Sequence, residues 1–193
     1  MSVFFNDREG NTVLSAGEQA GLRLRHIHQM KDLDEAEQIN INEGLLWLSR
    51  NKKKDILHPS FFCRLHKQLF GQVWNWAGKY RTTEKNIGID YWKVPSALKK
   101  LCDDTEYWIE NETYPWPELI ARFHHRLVSI HPFPNGNGRF SRILTNHLCK
   151  IHGKPQPSWK ASLPPKERRS IYIHALRKAD VRKMDPIIHF FQE

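Results

Sequence analysis

Apolar residues along most of the chain recur at three- and four-residue spacing, the pattern of helices that bury one face. Leu33, Ala36, Ile41, Leu45 and Leu48 make the first stripe, and Asp32 with Glu35 three residues later reads as a capping box at its start. His58-Pro59-Ser60 opens a second helix, with Phe62, Leu65 and Leu69 on one face and Phe61 and Phe70 widening it; His66 on this helix reads as incidental. A third runs from Val94-Pro95-Ser96 through Leu98, Leu101, Cys102, Thr105, Trp108 and Ile109. A fourth runs from Trp116-Pro117-Glu118 through Leu119, Ile120, Phe123, Leu127 and Val128. A fifth carries Phe140, Ile143, Leu144, Leu148 and Ile151 and stops at Gly153. Beyond Pro155 and Pro157 a sixth holds Arg168, Arg169, Tyr172, Ala175, Leu176 and Ala179, and Asp185-Pro186 begins a last short one.

One stretch leaves the helical period. Tyr80, Thr82 and Thr83 are strand formers, Lys85-Asn86 sits at a turn, and Ile87 to Trp92 forms a return arm, which together predict a short β-hairpin. Residues 1–30 show little periodicity, interrupted by Gly10 and Gly17, and read as an N-terminal arm; Lys52-Lys53-Lys54 reads as a solvated loop. The predicted fold is mostly α: a helical domain over residues 31–193 with one short hairpin, and a single domain overall.

Composition narrows the class. Apolar residues make up 39% of the 193, with seven Trp and ten Phe, enough for a packed core and incompatible with wholesale disorder. The formal net charge of +9 favours anionic partners, but no nucleic-acid reading motif accompanies it, so direct nucleic-acid binding is not expected. Cys63, Cys102 and Cys149 are far apart and lack paired ligand spacing, which argues against disulfides and structural zinc. No apolar run reaches membrane-spanning length, and a cytoplasmic protein without membrane attachment is expected.

The chemistry concentrates in residues 130–142. Glycines on both sides of Asn137 allow a sharp turn and close approach to a ligand. The loop opens the fifth helix, whose first N–H groups and positive dipole end attract phosphate. Arg139 and Arg142, three apart on one face, add fork-shaped donors. His131 stands just before this cradle, where a neutral imidazole can take a proton from a hydroxyl. An anion clamp with a base at its edge points to group transfer from a nucleotide.

This stretch resembles the signature of the Fic family, His-x-Phe-x-(Asp/Glu)-Gly-Asn-Gly-Arg-x-x-Arg, at His131, Phe133, Gly136, Asn137, Gly138, Arg139 and Arg142. The resemblance extends from Trp76-Ala77-Gly78-Lys79-Tyr80-Arg81 to the stretch Tyr172 to Asp185. In length and in its Asn variant of the loop the chain is most similar to the branch called mobile mystery protein B. The resemblance implies a Fic-like helical bundle that moves AMP from ATP to a Ser, Thr or Tyr hydroxyl of a protein target. It makes His131 the general base, places the backbone of Gly136 to Gly138 and the Asn137 side chain at the α-phosphate, and puts Arg139 and Arg142 at the β- and γ-phosphates. Mg2+ would bridge phosphates with help from Asn135. The hairpin corresponds to a flap that clamps the target by strand addition. Gly136 and Gly138 distinguish the chain from the phosphate-transferring Doc branch, and the narrower branch implies a small helix-turn-helix partner protein.

Two positions depart from the pattern. Asn135 stands where the family usually has the acidic residue that holds magnesium. Self-inhibited relatives carry (Ser/Thr)-x-x-x-Glu-(Gly/Asn); Glu43-Gly44 fits its end, but Ile39 stands where Ser or Thr belongs. Glu43 is therefore the inhibitory candidate, Glu37 a second that the pattern does not select, and an ordinary solvated glutamate the plain alternative. Two other readings remain open: a catalytically weak Fic-fold binding module acting through a basic surface on a protein or nucleic-acid partner, and a zinc hydrolase using His124, His125 and His131. The second lacks the four-residue spacing of a helical zinc pair.

Overall fold

The computed structural model describes residues 14–27, 29–51 and 56–192, so residues 1–13 of the expected arm and the Lys52-Lys53-Lys54 run lie outside the described residues. The described helices are α1 (Ala16–Gln19), α2 (Met30–Arg50), α3 (Pro59–Phe70), α4 (Val94–Glu110), α5 (Trp116–Ile130), α6 (Asn137–Ile151), α7 (Pro165–Asp180) and α8 (Asp185–Gln192).

Helix α2 lies along α3, and α5 is central, packing against α4, α6 and α8. The reason is compositional. The five apolar side chains that predict α3, Phe61, Phe62, Leu65, Leu69 and Phe70, are buried, as are Leu119, Ile120, Phe123 and Leu127 of α5 and Phe140, Leu144 and Leu148 of α6. Each burial of a large apolar side chain contributes about 1.5–3 kcal/mol, and the three stripes share one core. Pro59, Pro95, Pro117 and Pro165 sit in the first turns of their helices, where a missing N–H costs nothing.

Three local expectations change. Helix α2 starts at Met30 behind Gln29, which makes no side-chain cap; the capping box forms instead between Ser15 and Glu18. The buried face of α2 is also more polar than its apolar stripe suggests. Leu33, Ile41 and Leu48 are buried, but Leu45 is exposed, and Glu37, Asn40 and Gly44 turn inward. A Cβ at Gly44 would stand 2.8 Å from Leu69 Cδ2, so the glycine is what lets α2 approach α3.

The hairpin is not formed. Residues 81–90 run as an irregular strap into a 3-10 turn at Tyr91–Lys93, and the described residues hold no strand, only an isolated antiparallel bridge between Leu22 and Trp74. The strap's carbonyls have another partner: the Arg81 guanidinium takes those of Thr83 and Ile89. Residues 14–27 are tied to the domain. Leu14 and Ile27 are buried, Arg23 N donates to Val73 O at 2.8 Å, and Trp76 Nε1 donates to Glu18 O at 2.9 Å.

Candidate active site

Helix α5 ends at His131, which closes it in the left-handed conformation (φ 52°, ψ 62°). This conformation costs an L-residue about 1–2 kcal/mol, and it turns the chain into Pro132 and Phe133. Gly136, at φ 76°, then opens α6. The glycine is required twice, by its φ and because a Cβ there would meet the Phe70 ring at 2.8 Å. Gly138 is different. It lies in the first turn without a left-handed φ, and a Cβ added there would have nothing within 4 Å, so neither backbone conformation nor packing requires a glycine there.

Asn137 does not point its amide at a phosphate, as the resemblance implies. The amide folds back on the loop: Oδ1 accepts from Phe133 N at 2.9 Å and Nδ2 donates to Phe133 O at 2.8 Å. The side chain is buried and sets the loop's shape, and the unpaired first N–H groups of α6 are the loop's feature suited to an anion. Asn135 is half-buried, and its Oδ1 accepts from Gly136 N at 2.5 Å.

His66, incidental by its sequence pattern, braces this loop from beneath. Gly78 N donates to its Nδ1 at 3.0 Å, so that nitrogen is the acceptor and Nε2 carries the proton given to Asn135 O, also at 3.0 Å. Its ring stacks on Phe133 with centroids 3.8 Å apart. Burial drives its pKa down to about 3, so the ring stays neutral and the tautomer is fixed by its two partners.

His131 is buried and its pKa falls to about 4; burial is the main cause, followed by the charges of Arg81 and Lys85, against a hydrogen bond to the Val128 backbone that raises it. At neutral pH it is an uncharged imidazole able to accept a proton. Arg139 lies over the Phe70 ring at 4.8 Å and ion-pairs with Glu37 at 2.5 Å; the other Glu37 oxygen accepts from Trp74 Nε1 at 2.6 Å. The carboxylate that reaches a motif arginine is therefore Glu37, whereas the exposed Glu43 accepts from Gln72 Nε2. Arg142 is exposed on α6. Desolvation first, then the charges of Arg139, Arg168 and Arg169, lowers its pKa, while Tyr172 opposes this.

His124 and His125 are not a metal pair. His124 is buried between Thr145 (3.0 Å) and Tyr172 (2.8 Å), His125 contacts Asp180 at 2.8 Å, and the described residues contain no group of three His, Cys, Asp or Glu suited to a metal. No described helix is long and apolar enough to cross a membrane.

The site thus combines a left-handed histidine closing one helix, a tight loop, and a glycine-opened helix bearing two arginines. Residues 56–149 match the Fic/DOC family. The chain is 31% identical over 96% of its length to protein adenylyltransferase Fic of Drosophila grimshawi, and it spans 38% of that relative's length. Its fold is similar to that of Fic-1 from C. elegans (25% identity, TM-score 0.68, covering 95% of this chain and 55% of that one). It is likewise similar to BepC of Bartonella tribocorum, solved with bound AMPPNP (16% identity, TM-score 0.71, covering 92% of this chain and 96% of that one). The chain belongs to the Fic/DOC family.

Proposed function

We propose that the chain transfers AMP from ATP to a Ser, Thr or Tyr hydroxyl of a protein target. The observation that carries this reading is the placement of a buried, neutral His131 at the end of α5, one short loop from the open N-terminus of α6 and its arginines. The name of the Drosophila relatives and the AMPPNP in BepC support the choice of nucleotide. In the proposed step the hydroxyl proton passes to His131, the oxygen attacks the α-phosphorus, and the α–β anhydride bond breaks to release pyrophosphate. Backbone N–H groups at the start of α6 offset the charge on the α-phosphate, and Arg139 and Arg142 hold the β- and γ-phosphates. Catalysis arises from positioning and fixed dipoles.

Magnesium, which the family implies, would find in Asn135 Oδ1 a hard but neutral oxygen already accepting one hydrogen bond from Gly136. The donor fits the ion's preference for oxygen and adds no negative charge. When bound, the ion offsets phosphate charge. The test of the function is incubation with labelled ATP, magnesium and cell lysate: label on protein with the native chain, and none with His131→Ala, is the expected result. A second reading, a weakly active binding module, draws on two observations, the neutral Asn135 and the engagement of Arg139 by Glu37; it is the one that survives if no protein is labelled.

A further inference from the structure

Arg81 is among the largest fully buried side chains of the protein, and it has no buried carboxylate beside it; its nearest acidic group is Glu84 at 3.6 Å, which is half exposed. A buried charge is tolerated only if its donors are satisfied. Here carbonyls do this from two sides. Nε donates to His131 O at 2.7 Å and Nη2 to Ile130 O at 3.4 Å, at the C-terminal end of α5, where carbonyls lack helical partners and the dipole is negative. Nη1 donates to Thr83 O at 3.1 Å and Nη2 to Ile89 O, at opposite ends of the strap. The Arg81 backbone N–H adds a bond to Pro132 O at 3.0 Å. Gly88, at φ 109°, shows how closely the strap lies on the base: a Cβ there would stand 2.8 Å from His131 Cβ and 2.9 Å from Arg81 Nη2.

We propose that Arg81 is a positioning residue for the transfer reaction: its guanidinium fork locks the strained left-handed peptide of His131 to the strap, and so fixes where the base stands relative to the incoming hydroxyl. Lysine cannot replace it, because one ammonium cannot span both ends of the strap and both α5 carbonyls in a planar fan. The charged groups that act on the base here are Arg81 itself and Lys85, the latter paired with Glu18; Glu84 and Asp90 act on Arg81. The inference rests on His131 as the base of the proposed reaction, and the test separates the two.

The experiment titrates the histidine rings by NMR, with the His131 signal assigned through its loss in His131→Asn, and measures kcat for labelling and the dissociation constant of ATP in the native chain, Arg81→Met and Arg81→Lys. Removing a cation that disfavours imidazolium raises proton affinity, so in Arg81→Met the His131 midpoint should move up by about half a pH unit or more. Its kcat should fall about 10- to 100-fold with nucleotide affinity within about twofold, because misplacement of a reacting group costs rate rather than binding. Arg81→Lys keeps the charge and loses the fork, so the midpoint should stay close to native while kcat falls. An unmoved midpoint in Arg81→Met, native kcat in Arg81→Lys, or loss of ATP binding in parallel with rate would overturn the proposal. Should Arg81→Met not fold, Arg81→Lys decides by its kcat. If the native chain labels nothing, the proposed function fails on its own, and the titration still decides whether Arg81 sets the state of His131.

Discussion

At the residue scale the site is governed by which partner each polar group already has. Arg139 is held by Glu37, whose second oxygen is anchored by Trp74, so a nucleotide must share or displace that carboxylate to use the guanidinium. Glu37→Gln keeps the shape and the acceptor for Trp74 but removes the charge that binds Arg139. We expect several-fold tighter ATP binding by calorimetry and a higher labelling rate. Glu43→Gln, which keeps the helix and alters the contact to Gln72, should leave both as they were, and activation by it would point to Glu43 rather than Glu37 as the inhibitory carboxylate. Asn135 offers the second residue-level test. Asn135→Asp supplies the charge that the amide lacks and should lower the magnesium concentration needed for half-maximal labelling; an unchanged requirement would show that position 135 does not touch the ion. The loop, its glycine and the helix it opens were legible in the sequence because each is defined by its own chemistry and a short spacing, and the roles proposed for His131, Arg139 and Arg142 rest on the same stretch. Glu37 was only a second candidate that the pattern does not select, because its contact to Arg139 spans 102 positions.

At the scale of elements, the loop between α5 and α6 works as a clasp closed from inside by Asn137 and braced from outside by His66. Asn137→Asp would keep the bond from Phe133 N but set a second acceptor against Phe133 O. Leaving buried groups unpaired costs about 1–3 kcal/mol, so the urea midpoint should drop by a corresponding amount and ATP affinity should fall with it. Native stability in that variant would mean the loop closes without the amide. The helices themselves were readable from periodicity and proline positions, since both are local. The strap was not. Tyr80, Thr82, Thr83 and Ile87 have strand propensity, but propensity assumes that backbone carbonyls will pair with a neighbouring strand, and here the buried Arg81 takes them. Nothing in the local pattern marks an arginine as buried. The inward face of α2 escaped for a related reason: Glu37 and Asn40 lie on a buried stripe that hydrophobicity does not reveal, Asn40 donating to Gln68 O and accepting from Gln72 N.

At the scale of the whole molecule, four described histidines have pKa values depressed mainly by burial: His66 and His124 to about 3, His131 to about 4, and His147 lowered as well. In the unfolded chain each has a pKa of about 6.5. Above that value both states are neutral and these groups leave stability unchanged. As pH falls from about 6.5 toward 4 the unfolded chain takes up protons that the folded one refuses, and stability is lost. The sign is fixed by folded values lying below unfolded ones for a base that is buried uncharged. With His66, His124 and His131 engaged the slope approaches about 4 kcal/mol per pH unit, three protons at about 1.4 kcal/mol each. At Glu18 and Asp104 burial alone would raise the carboxyl pKa, but Lys85 and Ser15 at the first and Arg126 and Lys100 at the second outweigh it and lower the value, so both act in the same direction at lower pH. We therefore expect urea midpoints to fall steeply between about pH 6.5 and about pH 5, and to be level above about pH 7. His131→Asn should remove one proton from that slope while leaving the others, a difference that proton-uptake analysis of the same curves resolves. A flat profile across this interval would mean that the histidines open to solvent and charge within the folded state, and the base proposed for the transfer reaction would then be protonated at mildly acid pH without unfolding.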